Sequence, residues 1–213
     1  MRPLANALFV CGAALLVAAC SSSPTKPQAS RTAEPQAARI QIQQDPGGFS
    51  IIEEVNVDAG IRAQYESAIR LLEQKQSEQG IAMLVKVTEA APGVTAAHID
   101  LGIAYARAGD LKRAEASLLQ AIALNPRHPI AHNELGMVKR RQGEFAAARA
   151  SYEQALALHP TFHFAQRNLA ILCDLYLADR ECALANYEAY LRSAPDDPDA
   201  VKWLTDLRNR TGR

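Results

Sequence analysis

Histidines and cysteines are the side chains of this 213-residue sequence with the clearest capacity for chemistry. His128 and His132 lie four apart, as do His159 and His163, which is the spacing of two metal ligands on one helix face. Each pair straddles a turn, in NPRHPIAH and in HPTFHF, so neither pair shares one continuous helix. Packing or solvent exposure is the expected role, and no metal is expected. Cys173 and Cys182 are either an oxidised pair or two buried thiols acting as small hydrophobes. No GxSxG elbow, P-loop, HExxH or glycine-rich dinucleotide turn occurs. The acids Glu66, Glu73, Glu115 and Glu153 are scattered over helix faces and do not converge. The sequence therefore predicts no enzyme, no catalytic residue and no cofactor.

Charge and composition narrow the class further. Basic and acidic side chains number 23 each, and phosphate neutralisation needs a clustered basic excess, so nucleic acid is not an expected partner. Aromatics make up only 6% while Ala and Leu abound, a mixture that favours helices.

A repeat organises these helices. Pro92, Pro126, Pro160 and Pro195 each follow an apolar block, at separations of 34, 34 and 35 residues. In that frame, repeats fall at 61–94, 95–128, 129–162 and 163–197. The second carries Leu101, Gly102, Tyr105, Ala114, Leu118 and Ala121 at fixed positions; the third carries Leu135, Gly136, Lys139, Ala148, Tyr152 and Ala155. The fourth has Leu169, Ala170, Cys173, Ala183, Tyr187 and Tyr190, and the first, more divergent, has Ala68, Leu71, Gly80, Leu84 and Val87. Small residues at positions 8 and 20 let two helices of a hairpin approach, and larger ones at 24 fill the space between hairpins. Gly109-Asp110 and Gly143-Glu144 break the chain inside a hairpin, whereas Asn125-Pro126 and His159-Pro160 end its second helix.

This pattern resembles the tetratricopeptide repeat family. The resemblance implies an all-α fold, an α-solenoid of four helix hairpins, followed by a capping helix over 198–213. Asp197 is the expected N-cap and Pro198 the first helical residue. Val201, Leu204 and Leu207 form its apolar stripe, with Trp203 on the fourth hairpin and Lys202, Asp206, Arg208 and Arg210 in solvent. Residues 51–60 read as a lead-in, either a short strand or the approach to the first helix.

The family binds ligands along the concave face of the first helix of each hairpin. Carried onto this sequence, that face presents Tyr65 and Ile69, then Ile99, Ile103 and Arg107. It continues with Asn133, Met137, Arg140 and Arg141, then Phe164, Arg167 and Ile171. The Lys-and-Asn carboxylate clamp of chaperone-tail binders is absent. A mixed apolar and basic groove suits an extended or helical protein segment bearing acidic groups. For Lys139-Arg140-Arg141 a solvated helix end stands as an equal reading. The same frame puts Cys173 in one helix and Cys182 at the start of the next, where the hairpin folds back, so a disulfide between them is geometrically reasonable and suits an oxidising compartment.

The N-terminus points to that compartment. Arg2 precedes an apolar run from Leu4 to Ala19, which reads as a secretory signal peptide. Val17-Ala18-Ala19-Cys20 resembles the lipobox of bacterial lipoproteins, which implies cleavage after residue 19 and lipidation (palmitate) of Cys20. Ser21 after the cysteine accompanies sorting to the outer membrane in those lipoproteins. Residues 20–50, rich in Ser, Pro, Gln and Gly, read as a disordered tether with a root-mean-square reach of roughly 30 Å. The expectation is an outer-membrane lipoprotein whose periplasmic repeats bind an envelope protein, as in pilus-secretin or TonB-type machinery, the membrane being reached only through the lipid. A regulator of peptidoglycan synthesis, or a protein in contact with the cell wall, is the alternative. Partner identity and oligomeric state are not encoded legibly.

Overall fold

A computed structural model describes residues 40–45, 48–53 and 56–212, all within one compact unit, Pro35–Arg213. Signal peptide, Cys20 and tether residues 20–39 lie outside the described residues. Two strands, β1 (Ile40–Asp45) and β2 (Gly48–Glu53), precede the helices α1 (Ala59–Glu73), α2 (Ser77–Ala90), α3 (Thr95–Ala108), α4 (Leu111–Leu124) and α5 (Pro129–Gln142). The chain continues through α6 (Phe145–Leu158), α7 (His163–Leu175), α8 (Arg180–Ser193) and α9 (Pro198–Thr211).

The helices pair as the repeat requires: α1 with α2, α3 with α4, α5 with α6 and α7 with α8. Each pair stacks on the next, while α3 touches α5 and α5 touches α7, so the odd-numbered helices form one layer and the even-numbered the other. Close approach inside a pair depends on glycine. A Cβ on Gly136 would sit 2.6 Å from the Tyr152 ring, and one on Gly102 would sit 2.7 Å from Leu118 Cγ. Tyr152 and Leu118 are fully buried, and cores of this density tolerate no such insertion without displacement. Asp58, Asp110, Asp179 and Asp197 cap α1, α4, α8 and α9 by accepting from backbone N–H groups of the first turn.

Successive hairpins are joined by a recurring bond. His98 and His132 Nε2 meet the carbonyls of Pro92 and Pro126 at 3.0 and 2.9 Å, and Gln166 Nε2 donates to the Pro160 carbonyl at 2.8 Å. A carbonyl only accepts, so each histidine carries its proton on Nε2 here.

Three features depart from the sequence reading and one decides between its alternatives. First, residues 40–45 and 48–50, read as tether, are strand: β1 and β2 pair antiparallel, with Ile42 opposite Ile51 and Gln43 opposite Ser50. Ile40-Gln41-Ile42-Gln43 alternates with the period of two that a strand requires. Phe49 of β2 lies 4.1 Å from the His159 ring and 4.8 Å from Phe162, and Glu53 accepts from Thr95 Oγ1 at 2.8 Å and Asn125 Nδ2 at 3.3 Å. The hairpin thus crosses the turns that join the repeats. Second, β2 takes in residues 51–53 of the lead-in, which is the short strand that the sequence left open there. Third, α9 has Pro198 at its first position as expected, but its buried stripe is Ala200, Leu204 and Leu207, with Val201 44% exposed. Spacings of four and three put those residues, and not Val201, on one face. Trp203 lies 6.0 Å from the Tyr187 ring of the fourth pair. Fourth, Arg208 and Arg210 are exposed yet tied back to Glu188 and Asp174, at 2.9 and 3.0 Å.

Cys173 and Cys182 are bonded, with Cα atoms 5.9 Å apart, and the bridge closes the α7–α8 turn.

Candidate binding groove

The layer of odd-numbered helices carries three neighbouring concavities. One of about 320 Å3 lies between α1 and α3 and includes Ile69, Leu72, Asp100, Ile103 and Arg107. Another, of about 230 Å3, lies between α3 and α5 and includes Ile103, Arg107, Glu134, Met137 and Arg141. The largest, about 430 Å3, lies between α5 and α7 and includes Glu134, Met137, Phe164, Arg167, Asn168 and Phe49 of β2. Ile103 and Arg107 line the first two, and Glu134 and Met137 the last two, so the three form one groove crossing all four pairs.

Most sequence-predicted groove residues meet there. Ile69, Ile103 and Met137 supply apolar floor, Phe164 is 48% exposed at one end, and Arg107, Arg141 and Arg167 succeed one another along it. Asn133 lines the largest concavity but is almost wholly covered. Tyr65 donates from its hydroxyl to Asp100 Oδ2 at 2.5 Å and thereby ties α1 to α3. Arg141 reaches back to the Ala106 carbonyl.

Three residues go elsewhere. Ile99 is only 4% exposed and belongs to the core, because neighbouring helices cover both flanks of α3 and leave a narrow open stripe. Arg140 turns to the α7–α8 turn, its guanidinium 5.8 Å from the Tyr176 ring. Ile171 packs partly into the second core cluster. Nor is the basic run a unit: Lys139 is bound by Glu115 at 2.6 Å and Glu144 at 2.8 Å.

The groove is also less uniformly basic than its sequence implied, because Asp100 and Glu134 stand inside it. Burial pushes the Asp100 carboxyl up, with the Tyr65 hydroxyl and the Arg107 charge opposing. Burial likewise raises Glu134, against the Asn133 amide and Arg107, while Asp100 adds to the rise. Burial and the neighbouring Asp100 push the Tyr65 hydroxyl up. Both acids were detectable in the sequence: each stands three residues before an apolar groove residue and seven before an arginine, at Asp100-Ile103-Arg107 and Glu134-Met137-Arg141. Among the described residues, none of Arg107, Arg140, Arg141 and Arg167 has a carboxylate within 4.0 Å, unlike Arg113, Arg149, Arg208 and Arg210.

The helix pairs agree with a family model. The tetratricopeptide repeat model matches residues 65–129, 99–162 and 133–173, overlapping windows that cover just over half of the chain. The chain belongs to the tetratricopeptide repeat family. Solved structures share the fold: MamA from Desulfovibrio magneticus RS-1 is 18% identical with a TM-score of 0.66, over 74% of this chain and 88% of that one. PilF of Pseudomonas aeruginosa is 22% identical with a TM-score of 0.65, over 71% and 68%. The first tetratricopeptide domain of Spaghetti (RPAP3), solved bound to the HSP90 peptide SRMEEVD, is 23% identical with a TM-score of 0.54, over 59% and 99%. No curated protein matches the sequence. Architecture and family together make the chain a tetratricopeptide scaffold for protein–protein interaction.

Proposed function

We propose that the protein is an outer-membrane lipoprotein whose periplasmic groove holds a segment of an envelope-assembly protein, in pilus-secretin or TonB-type machinery. The observation that carries the groove part is its continuity: one concavity crosses four helix pairs, with an apolar floor and three arginines that have no ion-pair partner within 4.0 Å among the described residues. Such arginines favour acidic groups on the bound segment, since charge-assisted pairs with carboxylates are the strong ones. Asp100 and Glu134 fix where those groups can lie, because like charges suppress other registers. The Spaghetti domain holds an acidic peptide, SRMEEVD, on the same fold. The anchoring part rests on Val17-Ala18-Ala19-Cys20 behind an apolar run, and the envelope assignment is supported by fold likeness to PilF.

Photo-crosslinking in cells, from Ile103 and from Met137 of the full-length protein, tests the reading. Both positions should capture the same envelope protein, and Arg107→Glu with Arg141→Glu should abolish the adduct. In the same cells Cys20→Ser should move the protein from the outer-membrane fraction to the soluble periplasm. Capture that ignores the charge reversal, or membrane retention without Cys20, would overturn the corresponding half.

A further inference from the structure

The largest concavity is not made by the repeats alone. Its aromatic wall is a chain of three rings: Phe49 meets Phe162 edge-on at 4.8 Å, and Phe162 meets Phe164 edge-on at 6.2 Å. The first of these rings comes from β2, outside the repeats, and is held by its contact with His159. At about 430 Å3 the space falls within the roughly 300–1,000 Å3 of ordinary ligand sites.

The polar groups around it are mostly committed. Asn168 Nδ2 donates to Asn133 Oδ1 at 3.0 Å, and Asn133 Nδ2 donates to Glu134 Oε1 at 3.0 Å. Glu134 has the Arg107 charge nearby, on the side away from α7. Arg167 is different. Its Nε is buried with no hydrogen-bond partner, and its guanidinium lies 5.9 Å from the rings of both Phe164 and Tyr190. Asp197, the acid whose charge it feels, already accepts from the Tyr190 hydroxyl at 2.6 Å and caps α9. A half-buried cation beside an aromatic wall, with the Tyr190 hydroxyl as an acceptor but no carboxylate within 4.0 Å among the described residues, has a clear complement.

We propose that this cavity, completed by Phe49 of the N-terminal hairpin, is an anchor site for an aromatic or large aliphatic side chain that carries a carboxylate next to it. The ring or alkyl group stacks on the Phe49–Phe162–Phe164 wall, and the carboxylate meets Arg167 at the α7 side, away from Glu134. The site rests on the groove reading but is narrower: it puts the strongest contact of the partner segment between the third and fourth pairs and makes the hairpin part of the binding surface.

The test needs no knowledge of the partner. The whole secreted chain carrying Cys20→Ser is labelled at methionine methyl groups and titrated with N-acetyl-phenylalanine to millimolar concentrations. Met137 lines the cavity, while Met83 on α2 packs into the first core cluster and serves as an internal control. The Met137 signal should shift saturably and the Met83 signal should stay. The carboxamide form of the probe should bind roughly fivefold more weakly or worse, the loss of one charge-assisted contact. Arg167→Gln should erase the difference between acid and amide. Phe49→Ala and Phe164→Ala should each weaken binding roughly tenfold; Phe164 is exposed, so its loss leaves folding intact if Phe49→Ala loosens the hairpin. A stationary Met137, equal binding of acid and amide, or indifference to both phenylalanine variants would overturn the proposal. Crosslinking from Ile103, outside this cavity, continues to report on the wider groove, so the two readings can fail separately.

Discussion

Two kinds of turn alternate along this chain, and they are stabilised in opposite ways. Turns inside a pair each contain a residue with positive φ: Lys75 at 62°, Gly109 at 89°, Gly143 at 80° and Ala178 at 53°. They stand in solvent, and the local backbone decides them. Turns between pairs run through Pro92, Pro126 and Pro160, bury Asn125, His128 and Phe162, receive the position-4 bonds from the next helix, and are crossed by the hairpin. Tertiary contact decides those. The first kind should therefore respond to backbone substitutions and the second to changes in burial and charge.

The largest expected effect is at His128, in the turn between the second and third pairs. Burial, with a smaller contribution from His132, pushes its ring down to about 4 from 6.5, and its Nδ1 is buried without a partner. The folded form is the neutral one. Between these values the unfolded chain binds more protons, so the stabilisation is complete above about pH 6.5 and is lost as pH falls toward 4, by about 3 kcal/mol in all. Burial also lowers His98, His159 and His163, which add to the same acid limb. The third repeat has Phe162 at the corresponding position, so His128→Phe copies a residue the architecture already accepts. Urea midpoints measured from pH 7 to 4 should fall less steeply for His128→Phe than for the parent. Parallel curves would mean that the buried turn does not exclude the charged ring.

The α7–α8 turn is the exception among turns of the first kind, since the disulfide adds a covalent constraint to it. Closing a loop with a sequence separation of 9 stabilises by roughly 2.5 kcal/mol in the chain-entropy picture. Cys173→Ser with Cys182→Ser should lower the urea midpoint accordingly, and chemical reduction should do the same to the parent but leave the double variant unmoved. Fraying should be confined to the fourth pair and α9, with hydrogen exchange at α3 and α4 unchanged, because repeats stabilise chiefly their neighbours.

The same contrast explains what could be read from sequence. Proline spacing and the Gly-Asp and Gly-Glu breaks are local signals, so the helix pairs, their order and the positions of Ile103, Arg107, Met137 and Arg141 were legible. The sequence did not reveal which flank residues neighbouring helices would cover, and Ile99 went into the core while Arg140 turned to Tyr176. Asp100 and Glu134 followed the groove's own periodicity, but acids on helices are usually solvated, and neither was singled out. The hairpin was hidden by its surroundings: Ile40 to Gln43 and Phe49 to Ile51 alternate as strands should, yet a Ser- and Pro-rich stretch before them made composition the louder signal.

The smallest effects separate the four positive-φ residues from one another. An added Cβ at Gly109 or Gly143 would meet nothing within 4 Å, so alanine there is penalised only by its own backbone, by about 1 kcal/mol. Lys75 and Ala178 already bear that strain, and glycine in their place should stabilise, by less than the full relief because glycine also gains freedom in the unfolded chain. Ala178 lies inside the disulfide loop, where the cross-link curtails that freedom, so Ala178→Gly should recover most of the roughly 1 kcal/mol and Lys75→Gly about half of it. Removing the disulfide restores the unfolded loop's freedom, and the gain at Ala178 should then fall to the level at Lys75. Urea midpoints of the two glycine variants, with and without both cysteines, measure that coupling. Equal gains in the oxidised protein would mean that the bridge acts on the folded turn and not on the unfolded chain.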